Sequence, residues 1–195
     1  MTTLRPTLLL AALLAASCTT NNENGILVIT KVVAPTVTLG GGSTTCTYSP
    51  TSDETIFATF NASVPPTSTH GLRLAAVVQN RLAPNGSNIG GRLNNFDFLA
   101  LQAVVTYEGV GAAAVSIPQQ LIPLTGTVPA NGTAAIGIDF FPPGTTGIPG
   151  PGSTIRLVFH IEGKLLDGST LKSSEYNYIV TTCGTGNCDI TAACQ

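Results

Sequence analysis

An all-β fold, an antiparallel immunoglobulin-like β-sandwich of about seven strands, is predicted by three observations. Apolar residues recur two apart over most of the chain, clusters of Gly, Pro, Asn and Asp punctuate them, and nothing beyond residue 24 has convincing helical periodicity. A small closed barrel satisfies the same pattern. A membrane-spanning barrel does not, because its strands need about 9 to 11 residues with few prolines.

The first strand is read over residues 25–33 (GILVITKVV), a β-branched apolar run that Ala34 and Pro35 close; Gly40, Gly41 and Gly42 then break regular structure. Residues 54–61 (ETIFATFN) alternate, with Ile56, Ala58 and Phe60 on one face, until Pro65 and Pro66 end the strand. Leu72, Leu74, Ala76, Val78 and Leu82 mark a third strand, with Arg73, Gln79 and Arg81 on a wetted face. Turn formers fill residues 84–91. Leu99, Leu101, Ala103, Val105 and Tyr107 repeat the alternation, and Gly109 and Gly111 close it. A short strand over residues 120–124 is interrupted by Pro123, Ala134, Ile136, Ile138 and Phe140 form another apolar face, and residues 142–152 (PPGTTGIPGPG) form an extended loop.

The last hairpin is the most sharply specified. Ile155, Leu157, Phe159 and Ile161 alternate with Arg156, Val158, His160 and Glu162, and Asp167-Gly168 is a favoured two-residue turn. Pairing Leu166 with Ser169 sets Phe159 opposite Tyr176, Leu157 opposite Tyr178 and Ile155 opposite Val180, all apolar and all on one face. The same register sets His160 opposite Glu175 on the other face.

The amino end carries Arg5, then the apolar run of residues 8–14 (LLLAALL), then Ala15, Ala16, Ser17 and Cys18. This is the order of a secretory signal, and the run is too short to span a membrane. The stretch TLLLAALLAASC resembles the lipobox of bacterial lipoproteins. That resemblance implies cleavage before Cys18 and lipidation of its sulfur, although Ala15 departs from the Leu usual three places before the cysteine. The alternative is an ordinary signal peptide cut near Ser17. The chain is expected to divide into a signal peptide (1–17), a lipidated cysteine with short linker (18–24) and a β-sandwich domain with a cysteine-rich tail (25–195). The polar linker TTNNEN extends at most about 20 Å, so the domain sits near the lipid surface. Thr19 stands where the family's inner-membrane retention signal places Asp, which implies an outer-membrane destination.

Removing residues 1–17 leaves 178 of 195, enough for one domain with a sizeable core. Without Arg5, 7 basic residues face 10 acidic ones, a balance of about −3 with no basic cluster, which excludes nucleic acid as a partner. Charged residues are only 9% of the chain, so its polarity comes from hydroxyls and amides, as in many envelope β-proteins. Of 5 cysteines, lipidation of Cys18 leaves Cys46, Cys183, Cys188 and Cys194, an even number expected to pair in an oxidising compartment. Three connectivities exist. The Gly- and Asn-containing segment between Cys183 and Cys188 favours a local loop, with Cys46 holding Cys194. A metal site from the same thiolates is disfavoured by compartment and spacing, and no cofactor is expected.

No catalytic motif survives inspection. His160 and Glu175 read as an ordinary cross-strand pair rather than a proton-transfer pair, since no nucleophile accompanies them. Ser169 to Lys172 match SxxK, but that motif works on a helix and these residues follow a hairpin turn. Asp53 and Glu54 are the only adjacent acids, and no calcium-loop order is present. Asn61, Asn85 and Asn131 begin N-x-S/T triplets, which matter only in a eukaryotic secretory pathway.

The signal TLLLAALLAASC, the early Cys46, the hairpin IEGKLLDGSTLKSSEYNYIV and the terminal CGTGNCDITAAC together look like myxobacterial-type envelope lipoproteins, a resemblance of layout with no activity to carry over. It implies a membrane-anchored, non-catalytic binding or structural sandwich, with an envelope protein or a glycan as partner and loops such as 84–91 and 142–152 as recognition elements. The alternatives are an envelope hydrolase, which requires a deep pocket gathering His70 or His160 with carboxylates, and an accessory subunit of an export or motility complex, which requires a wide exposed apolar patch.

Overall fold

The computed structural model describes residues 25–40, 43–67, 71–84 and 96–184. Cys18, His70, Asn85, Cys188 and Cys194, and nearly all of the 84–91 loop, lie outside them. Eleven strands are found among the described residues: β1 (Leu27–Val33), β2 (Thr36–Gly40), β3 (Ser43–Thr47), β4 (Phe57–Asn61), β5 (Arg73–Asn80), β6 (Phe98–Val110), β7 (Gln120–Val128), β8 (Thr133–Asp139), β9 (Thr154–Leu165), β10 (Thr170–Lys172) and β11 (Tyr176–Cys183). They form a β-sandwich. A three-stranded sheet, β1-β5-β8, faces a six-stranded sheet, β4-β11-β9-β6-β7, in which β10 also pairs with β9. Hairpin β2-β3 stands apart. Gly40 is the last residue of β2, paired with Ser43, so the glycine run begins inside a strand. Among the described residues no helix is long and apolar enough to cross a membrane.

The two sheets share one core, in which Leu74, Ala76 and Ile138 of the smaller sheet meet Val105, Leu157, Phe159 and Val180 of the larger. Phe140 continues β8 into this core and packs edge-on against Phe159, centroids 5.0 Å apart. Strand β5 departs from the expected half-wetted pattern. Its outward Ala75 and Val77 are buried too, because Val33, Tyr48 and Ala135 cover them, making a second small cluster. Pro123 does not interrupt β7. The strand is the edge of its sheet, where a missing N–H costs no ladder bond.

Two strands depart from simple alternation. In β6 the register slips between Ala100 and Gln102, leaving Leu101 as an extra residue against β9. The inward set is therefore Phe98, Ala100, Ala103, Val105 and Tyr107, while Leu99 and Leu101 are exposed, contrary to the continuous pattern read from the sequence. Ile56 likewise precedes β4 and is exposed, whereas Ala58 and Phe60 are buried. Against the antiparallel expectation, β4 runs parallel to β11.

The last hairpin reaches the expected register by a different route. Phe159↔Tyr176, Leu157↔Tyr178 and Ile155↔Val180 are all paired. The turn, however, joins Leu165 to Ser169 (N···O 2.8 Å) and not Leu166 to Ser169. Gly168 alone has positive φ (93°), so Leu166, Asp167 and Gly168 make a three-residue loop, and Asp167 Oδ1 accepts the Ser169 N–H at 2.8 Å. That shifts β10 by one residue, pairing Lys172 with Glu162. Residues 173–175 then supply one extra residue opposite β9 and restore the register. Ser173, buried, takes part as a surrogate backbone: its N–H donates to Ile161 O and its hydroxyl oxygen accepts the Ile161 N–H. Ser174 bonds both Leu27 and Ile29 of β1, stitching the two sheets together.

Cys46, on β3, and Cys183, ending β11, are both disulfide-bonded. At the end of β8, Asp139 lies beside Arg73, Oδ2 to Nε 3.6 Å. Burial pushes its carboxyl above the ordinary range, and the Arg73 charge offsets this only in part. A carboxyl with a raised folded pKa binds its proton more readily in the folded state. Its contribution is therefore most favourable below the ordinary carboxylate pKa and declines as pH rises through the folded value. Urea midpoints measured against pH should show Asp139→Asn gaining on the wild type as pH rises through that window; a constant difference between the two proteins would contradict the raised pKa.

Candidate functional site

The outer face of the six-stranded sheet carries a group of polar side chains, and the pairings place them in rows. Thr170, Lys164 and Leu99 form one row; Lys172, Glu162 and Gln102 the next; His160, Val104 and Leu121 the third. The bulge at Leu101 and the three-residue turn both act here. The first lifts a leucine out of the sheet, and the second sets Lys172 beside Glu162. Between them lies an open groove of about 500 Å³, with Leu101, Gln102, Glu162, Lys164 and Lys172 among its walls.

Glu162 is the fixed point. Its Oε2 accepts from Gln102 Nε2 at 2.7 Å, and its Oε1 lies 3.1 Å from His160 Nε2. The Gln102 hydrogen bond first, then that of His160, hold the carboxyl below the ordinary carboxylate range, with a smaller contribution from the Lys172 charge. A carboxylate with both oxygens engaged and a lowered pKa is a weak base. It serves as a positioned acceptor rather than as a proton carrier.

The expected opposition of His160 and Glu175 is not formed. The extra residue in 173–175 removes Glu175 from the ladder, and His160 instead meets Glu162, two residues along its own strand. Lys172 is on β10 while Ser169 ends the turn before it, so the SxxK residues lie along extended chain, about 10 Å apart at the backbone. Glu54 accepts from the Tyr176 hydroxyl at 3.0 Å, which engages one member of the Asp53-Glu54 pair in a structural contact. Among the described residues, no group of three or more His, Cys, Asp or Glu side chains could hold a metal ion. Exposed Ile56 and Phe57 flank the β4 edge and Leu121 lies on the β7 edge, separated by three strands or about 19 Å, so they do not join into one apolar patch. The 142–152 loop is strapped down: Thr182 Oγ1 donates to Gly150 O at 2.7 Å, and the Gly152 N–H donates to Thr182 O at 2.8 Å.

Sequence reasoning named Glu162 only as an outward-facing residue, gave His160 the partner Glu175, and missed Gln102, Lys164 and Lys172 as their neighbours. The pairing of β6 with β9 carries that information, and no local signal does. Compared with protein-family models, curated proteins and solved structures, the chain matches none.

Proposed function

We propose that this chain is a lipid-anchored envelope protein, held at the outer membrane of a bacterial cell through Cys18, whose β-sandwich is a non-catalytic binding or supporting module. The observation that carries the reading is the run TLLLAALLAASC, with its charged start, short apolar stretch and small residues before a cysteine. Two or more acyl chains on that residue give durable attachment, at about 0.8 kcal/mol per buried methylene. The linker 19–24 then keeps the sandwich within about 20 Å of the lipid. A myxobacterial-type origin agrees with the same layout. Pairing of Cys183 with Cys188 and of Cys46 with Cys194 completes the reading, tying the tail to β3. The non-catalytic part rests on Glu162, whose oxygens are committed to Gln102 and His160. An envelope protein or a glycan is the partner.

The test is fractionation. Cys18→Ser should move the protein from the envelope pellet to the soluble fraction, and mass spectrometry of the wild type should find an acylated cysteine at the mature amino end. Sedimentation unchanged by the substitution, or an unmodified thiol, would end the proposal.

A further inference from the structure

We propose that the groove over β6, β9 and β10 binds a hydroxylated carboxylate, the uronic acid unit of an acidic glycan. The proposal rests on the binding-module reading above and names its ligand class. Charge argues for the anion. Lys164 and Lys172 are diagonal neighbours on adjacent strands, about 8 Å apart at the backbone. Neither forms an ion pair within 4.0 Å among the described residues. Two ammonium groups against the single carboxylate of Glu162 leave the groove positive on a chain whose formal charge is −2. A carboxylate bridging Lys164 and Lys172 corrects that local excess.

The remaining walls argue for the hydroxyls. The free Oε1 of Gln102 and the Thr170 hydroxyl offer an acceptor and a combined donor and acceptor. Glu162, already held in place, keeps lone pairs for a sugar hydroxyl. Leu101 presents the apolar side chain that the C–H face of a pyranose ring would cover, being 43% exposed on its bulge. Leu171 adds a second apolar side chain to the lining, and the volume of about 500 Å³ lies in the range of small-ligand sites.

The test is a calorimetric and NMR titration of the full-length chain with trigalacturonate, with maltotriose, octanoate and inorganic phosphate as comparison ligands. Trigalacturonate should saturate at millimolar or lower concentration and shift the amides of Gly163, Lys164 and Thr170. The affinity should weaken with added salt and fall about tenfold in the Lys164→Ala, Lys172→Ala double variant, whose melting temperature should match the wild type. Absence of saturation, equal binding of maltotriose, octanoate or phosphate, or an unchanged affinity in the double variant would overturn the assignment. None of these results bears on the tether, which the Cys18→Ser fractionation reads separately.

Discussion

Gly163→Val is expected to cost about 3 kcal/mol or more, a large part of the roughly 5 to 15 kcal/mol that holds such a domain together. Gly163 is paired with Ala100 at the bulge. A Cβ placed there would stand 2.1 Å from the Leu99 carbonyl oxygen and 2.7 Å from the Phe98 ring. The oxygen belongs to the backbone and cannot swing aside as a side chain can, so β6 and β9 would have to separate. Denaturant unfolding would measure the loss, and Gly163→Ala should already show most of it because the clash begins at Cβ. A fully stable alanine variant would mean that the strands approach less closely than described. The groove gives a second readout, since parting these strands should also disturb the Gln102–Glu162 contact.

The second large effect is at the centre. Phe159→Ala should destabilise by about 3 to 5 kcal/mol and lower the melting temperature by roughly 6 to 20 °C. Phe159 is fully buried, touches Phe140 at 5.0 Å and Tyr176 at 5.8 Å, and sits where the two sheets share their core. Phe159→Leu, which keeps most of the volume, should cost less than half as much. Equal losses in both variants would point to the ring geometry and not the cavity as the source of the stability.

The sandwich was legible because burial imposes a period of two on every strand that faces the core, as residues 155–161 and 134–140 illustrate. The rest depended on pairings between distant segments. Alternation was read straight through 99–107, but the strand changes phase at Leu101, and only its register with β9 discloses the extra residue. The final hairpin teaches the opposite lesson. Its core pairs were anticipated correctly although its turn was not, because Leu166 joins Asp167 and Gly168 in the loop and the 173–175 segment adds a compensating residue farther along. Side-chain pattern outweighed turn chemistry: the three core-facing pairs gain far more from packing against the core than a two-residue turn would gain over a three-residue one. The groove was least legible of all. Glu162 gains its partners from β6, some 60 residues away, and from a histidine whose expected partner had been moved off the ladder.

Strand β11 lies between β4 and β9 and supplies part of the sheet's middle, although it is the last strand among the described residues. A polypeptide delivered amino end first, from a ribosome or through a translocon, therefore carries an open seam until residue 183 arrives. Until then β4 lacks its partner strand β11, and Tyr178 and Val180 are missing from the interior. The fold thus closes like a clasp only when β11 arrives, and any chain stopped short of Tyr176 should remain a substrate for chaperones and proteases rather than a smaller working domain.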